Sequence, residues 1–217
     1  MVSIMITAGP TREYLDDVRF LSNGSSGRMG CALAEAARTA GHAVCLVLGP
    51  VDLAPPSGVT VFSVTSALEM QAAAEAAFQA ADILIAAAAV ADYRPLHRVA
   101  GKPAKQGERV TLELVPNPDI VAGLAAKRGR RVVVGFALES VSAGMAAAIA
   151  RGRDKLRRKQ LDLVVVNLHD AIGGVSSDVV LCYADGRDEA LGLADKNLTA
   201  AHIVHAAVEL WMGRQAT

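Results

Sequence analysis

Short aliphatic runs alternate with stretches of helical periodicity along nearly the whole chain, and few architectures accept that pattern. Residues 2–8, 43–48, 60–64, 83–90, 131–137 and 161–166 are rich in Val, Ile, Leu and Ala, and the first two end at Gly-Pro. Runs apolar at consecutive positions, rather than at alternate ones, belong to strands covered on both faces. Between them, residues 29–40, 66–81 and 142–160 have helical spacing, as do residues 199–212 at the end. Ser66 with Glu69 three positions on is a capping box. Asn117-Pro118-Asp119 opens a helix to about residue 126, with Pro118 at its first helical position and Asn117 or a neighbour as cap. The pattern predicts an α/β, Rossmann-like three-layer fold with a mostly parallel central sheet. Residues 179–184, the turn Asp185-Gly186 and a return through Ala190 and Leu191 predict a late antiparallel hairpin. Residues 110–115 predict one further short strand, and Asp92-Tyr93-Arg94-Pro95 a break after the strand at 83–90. No repeat and no linker divides the 217 residues, so one domain is expected.

Ligands in such sheets sit at the carboxyl ends of the strands. The informative loops are therefore residues 9–30, 91–107 and 136–142. Several function classes fall away first. Formal net charge is zero, which does not suit a nonspecific nucleic-acid binder. The longest apolar run, residues 83–91, is too short to span a bilayer. Met1 leads straight into the first strand without a basic leader and cleavage site, so a cytoplasmic location is expected. Cys31, Cys45 and Cys182 form no metal-type spacing, and His202 and His205 have no third ligand beside them. There is no nucleophile elbow and no Gly-Lys-Ser/Thr P-loop. None of Tyr14, Tyr93 and Tyr183 has a lysine four residues later, and the second strand ends in Leu48-Gly49-Pro50, with no acidic residue there to hold a ribose.

The stretch Ser22-Asn23-Gly24-Ser25-Ser26-Gly27-Arg28-Met29-Gly30 precedes the first helix. Glycines admit close backbone approach, short polar side chains donate, and a helix amino terminus adds free N–H groups, which together suit a phosphate or carboxylate. Ala86, Ala87, Ala88 and Ala89 end a central strand with small side chains beside which a flat base can lie, and Asp92 follows. The loop Gly101-Lys102-Pro103-Ala104-Lys105-Gln106-Gly107 carries two cations able to close over a triphosphate. Arg151, Lys155 and Lys159 share one helix face, with Arg158 beside it, a face suited either to solvent or to phosphates.

Taken in order, these segments resemble the phosphopantothenate–cysteine ligase family of coenzyme A biosynthesis. The matching pieces are Ile6-Thr7-Ala8-Gly9 with Thr11-Arg12-Glu13, and Val18-Arg19-Phe20-Leu21-Ser22-Asn23 through Ser25-Ser26-Gly27. Ala88-Ala89-Val90-Ala91-Asp92-Tyr93, Asn117-Pro118-Asp119-Ile120, Gly135-Phe136-Ala137, and Lys155 to Lys159 with Asp162 and Asn167 complete them. The resemblance implies that 4′-phosphopantothenate is activated by CTP as an acyl-cytidylate and captured by L-cysteine, with ATP as the other possible nucleotide. It implies catalytic roles for Asn23, Lys102 and Arg19, and an acid-binding site of Asn23, Gly24, Ser25, Ser26, Gly27 and Ala89. It implies a nucleotide site of Gly9, Ala86, Ala87, Ala88, Asp92, Lys102, Pro118, Asp119, Ile120, Val121, Phe136, Lys155 and Lys159. Magnesium is expected with the triphosphate rather than on protein ligands, and no flavin is expected. A homodimer meeting at the late hairpin is implied; the flavin-dependent decarboxylase that many bacterial members carry in fusion is expected either as a separate protein or as a domain from which this one is excised. The flap departs from the bacterial Lys-x-Lys-Lys pattern, with Ala104 at the middle lysine. Two competing readings use the same sheet: an NAD(P)-dependent oxidoreductase, separated by nicotinamide binding, and a non-catalytic nucleotide-sensing module, separated by pyrophosphate release.

Overall fold

The computed structural model describes residues 1–105, 107, 109–139, 144–168 and 176–216. One eight-stranded sheet runs through it in the order β12-β11-β10-β9-β6-β1-β4-β5. Strands β1 (Ser3–Ala8), β4 (Ala43–Leu48), β5 (Thr60–Ser63), β6 (Ile83–Ala86), β9 (Val132–Glu139) and β10 (Leu163–Leu168) pair in parallel. The antiparallel hairpin β11 (Ser176–Tyr183) and β12 (Asp188–Asp195) extends the sheet beyond β10. The expected three-layer α/β fold with a late hairpin is what the chain adopts.

Each face of the sheet carries its own helices. The helices α1 (Arg28–Thr39) and α5 (Lys196–Gln215) cover one face, packing Leu33, Ala34, Ile203 and Ala207 onto Ile4, Ile6, Ile83 and Val134. On the other face lie α2 (Ala67–Phe78), α3 (Ile120–Ala125) and α4 (Gly144–Lys159), where Met70, Phe78, Leu124 and Leu156 meet Met5, Leu84 and Val164. The core is almost wholly aliphatic, as 4% aromatic content requires. Fully burying one such side chain contributes roughly 1.5–3 kcal/mol. The capping box at α2 forms, with Ser66 Oγ accepting from the Glu69 N–H at 3.3 Å and Glu69 reaching back to the Thr65 N–H at 2.8 Å.

Several local expectations change. The strand predicted over residues 83–90 stops at Ala86, where its pairing with β9 ends at Gly135; beyond it Ala87 and Ala89 still donate to Thr7 O and Gly9 O on the β1 side only. The supposed loop after β1 holds a small hairpin, β2 (Arg12–Tyr14) with β3 (Phe20–Ser22). Tyr93-Arg94-Pro95 is a strand, β7 (Tyr93–Pro95), which pairs antiparallel with β8 (Leu114–Pro116). The strand expected over 110–115 is thereby shortened to Leu114–Pro116. Pro118 lies outside α3, and Asp119 is the cap, accepting from the Ala122 N–H at 3.1 Å. Residue 142, where the fourth helix was expected to begin, and Gln106 in the flap lie outside the described residues, as do residues 140 and 141 of the loop expected over 136–142.

Candidate functional site

The carboxyl ends of β1, β6, β9 and β10 open into one cleft of about 850 Å³, a size suited to small-molecule ligands. Its floor begins at Gly27, the cap of α1, held at φ +74°. A side chain there would be strained, and its Cβ would lie 2.7 Å from Val51. Gly27 supplies no side-chain cap, and the first turn of α1 holds no acidic residue, so its N–H groups are left for an anion. Helix and strand are pressed together here, since a Cβ on Gly30 would stand 2.2 Å from the Ala8 Cβ.

Asn23 ties the first loop to the second. Its Nδ2 donates to Ala89 O at 3.0 Å and Val90 O at 3.1 Å. The second loop is gripped from its other side as well, with the Ala91 N–H donating to Thr11 Oγ1 and Asn117 Nδ2 donating to Ala91 O at 2.9 Å. Across the cleft, Lys159 Nζ donates to Asp119 at 2.8 Å, joining the last turn of α4 to the cap of α3. Burial pushes the Asp119 carboxyl up, but hydrogen bonds from Lys159 and the Ala122 N–H, with the Lys159 and Lys155 charges, outweigh it and hold it below the usual carboxylate range. Lys155 Nζ donates to Phe136 O at 2.5 Å.

Most residues singled out from the sequence converge on this cleft. Asn23, Gly24, Ser25, Ser26 and Gly27 line one wall. Ala86, Ala87, Ala88, Ala89 and Asp92 run across the middle. Pro118, Asp119, Ile120, Val121, Phe136, Lys155 and Lys159 close the far wall. Gly9, Arg19 and Lys102 are not in that lining. Gly9 holds φ +76°, and a Cβ there would lie 3.0 Å from Val51 and 3.2 Å from the Gly49 carbonyl oxygen. Arg19 pairs with the buried Asp16 at 2.6 Å, and Asp16 is held low first by the Arg19 N–H. Lys102 is exposed on the flap, whose base is pinned where the Gly101 N–H donates to Asp17 at 2.7 Å. Arg151 is exposed and does not line the cleft.

Arg28, Asn167 and Lys196 line the cleft without having been assigned roles from the sequence. The available signal was Lys196: a cation in the first turn of a helix opposes the helix dipole, and such a placement calls for a reason. Among the described residues no group of three or more His, Cys, Asp or Glu side chains converges to hold a metal. Asp119, already engaged by Lys159, does not offer a free carboxylate. Burial pushes the Cys31 thiol up, away from the thiolate form.

Residues 1–210 match the family described as DNA/pantothenate metabolism flavoprotein C-terminal domain. The Coenzyme A biosynthesis bifunctional protein CoaBC of Escherichia coli K12 is 46% identical over 205 residues, covering 91% of this chain and 49% of that protein. CoaBC of Bacillus subtilis is 42% identical over 198 residues, covering 89% and 48%. The chain thus spans about half the length of the curated relatives it matches. The crystal structure of the C-terminal domain of CoaBC superposes with a TM-score of 0.82 at 34% identity, covering 100% of this chain and 97% of that one. A Cab2 variant in complex with phosphopantothenate-cysteine has the same fold, with a TM-score of 0.82 at 19% identity over 100% of this chain and 89% of that one.

Proposed function

Because the chain belongs to the DNA/pantothenate metabolism flavoprotein C-terminal domain family, we propose that it is a phosphopantothenate–cysteine ligase of coenzyme A biosynthesis that uses CTP. One observation carries the reading: an anion-binding loop with Asn23 and two helix lysines, far apart in sequence, face one cleft.

The carboxylate of 4′-phosphopantothenate attacks the α-phosphorus of CTP, pyrophosphate leaves, and an acyl-cytidylate forms. The amine of L-cysteine then attacks the acyl carbon and releases CMP. A carboxylate is a poor acyl donor at neutral pH, and the mixed anhydride supplies the leaving group. The protein's work is positioning and charge stabilisation. Asn23 and Ala89 hold the acyl region, and Arg19 steadies that loop through Asp16. The base lies along Ala86, Ala87 and Ala88, with the phosphates toward Lys155 and Lys159. Lys102 reaches the triphosphate from outside the cleft by closure of the flap about its pinned base at Gly101. Magnesium enters with the triphosphate, and no flavin takes part in the ligation.

The late hairpin is assigned to a homodimer contact, supported by β12 standing at the edge of the sheet with an exposed Leu193. A cytoplasmic enzyme is proposed; among the described residues no helix is long and apolar enough to cross a membrane.

Pyrophosphate release from CTP and from ATP, with 4′-phosphopantothenate and with or without cysteine, tests the reading. CTP-dependent release followed by cysteine-dependent CMP formation is expected. No release from either nucleotide would end it, and nicotinamide binding in its place would favour an oxidoreductase.

A further inference from the structure

The cleft is charged from both faces of the sheet. Lys155 and Lys159 enter it from α4 on one face, whereas Arg28 and Lys196 enter from the amino termini of α1 and α5 on the other. Lys196 is only 9% exposed, in the first turn of a helix whose amino terminus already carries partial positive charge. Arg28, in the first turn of α1, adds a second like charge close by. Burial first and the Arg28 charge second hold the Lys196 ammonium below the ordinary lysine value. Three unfavourable terms therefore meet at one lysine: desolvation, a like-charged neighbour and the dipole. All three are relieved by an anion in the cleft. The same wall holds a buried acceptor, Asn167 Oδ1, with no hydrogen-bond partner among the described residues. A buried unpaired oxygen calls for a donor.

We propose that Lys196, assisted by Arg28, is a phosphate-binding residue on the α1/α5 side of the cleft, with Asn167 accepting an N–H or O–H from the same ligand. This rests on the ligase reading for the identity of the ligand. 4′-Phosphopantothenate carries a terminal phosphate, a hydroxyl and an amide N–H on one molecule, which matches a cation pair beside an unpaired acceptor. The terminal phosphates of the nucleotide are the other source of the same chemistry.

The test is calorimetric titration of the wild-type chain and of Lys196→Met with 4′-phosphopantothenate, with pantothenate and with inorganic pyrophosphate, none of which needs turnover. In the wild type, 4′-phosphopantothenate is expected to bind at least about tenfold more tightly than pantothenate, and Lys196→Met to erase that preference. Weakened pyrophosphate binding with the preference intact would keep the phosphate subsite and assign it to the nucleotide. Unchanged binding of all three in a variant of unchanged melting temperature would overturn it. Should Lys196→Met fail to fold, Arg28→Gln, an exposed change, is expected to shift the same preference in the same direction, and Lys196→Arg to preserve it; no shift in Arg28→Gln would then overturn the proposal. A wild type that binds the phosphorylated acid selectively yet releases no pyrophosphate would fail the ligase reading while leaving this subsite standing.

Discussion

The side-chain amide of Asn23 lies 3.0 Å from the carbonyl of Ala89, 66 residues later in the chain, and so couples the turn before α1 to the end of the central strand β6. Replacing it with Asp places a carboxylate against two carbonyl oxygens and against an incoming acid. Asn23→Asp is expected to lower turnover at least about 100-fold, while the exposed bond it loses costs about 1 kcal/mol or less. Steady-state rates beside thermal melting check this; wild-type rates in the mutant would remove Asn23 from the chemistry.

The Lys159–Asp119 pair gives a pH dependence with a definite sign. The folded carboxyl of Asp119 sits below its ordinary value of 3.8. Its contribution is therefore complete above that value and is lost as pH falls through the lower, folded one. Lys159→Met removes the leading cause of the depression and leaves burial, which acts in the other direction. Urea midpoints between about pH 3 and 6 are expected to show a shallower acid limb in the variant, and the nucleotide KM is expected to rise about tenfold.

Gly30→Ala tests the contact of α1 with β1. The new methyl would overlap Ala8, with its Cβ 2.2 Å and Cα 3.0 Å away, neither of which can rotate aside. A loss of roughly 1–3 kcal/mol is expected in chemical unfolding. An unchanged midpoint would mean that the helix amino terminus moves freely over the sheet.

Asp162, at 3% exposure, gathers the end of the fold. Its carboxylate accepts from the Val133 N–H at 2.8 Å and pairs with Arg214 of α5 and with Arg128. Asp162→Asn weakens charged bonds to both arginines. It is expected to destabilise the protein by about 1.5–3 kcal/mol, read by denaturant midpoint, with KM values for substrates little changed.

Local chemistry determined much of this protein. Consecutive aliphatic residues made β1, β4 and β10 buried strands, Ser66 with Glu69 set the start of α2, and Asp185-Gly186 set the late turn. Each of these depends on residues within a few positions of one another, so each was legible. The glycine- and serine-bearing turn before α1 was legible for the same reason, because a strand, a flexible turn and a helix amino terminus form an anion cradle from adjacent residues. What neighbouring residues could not decide was which distant groups meet. The strand at residues 83–90 ends early because its partner on the other side, β9, pairs with it only as far as Gly135, and β7 exists only because Leu114–Pro116 returns beside it. Lys102 and Arg19 lie outside the cleft while Lys196 lies within it, since the packing of α5 beside α1 carries the start of the last helix to the first loop. Side-chain period reports which face of an element is buried; only the order of strands in the sheet decides what stands opposite.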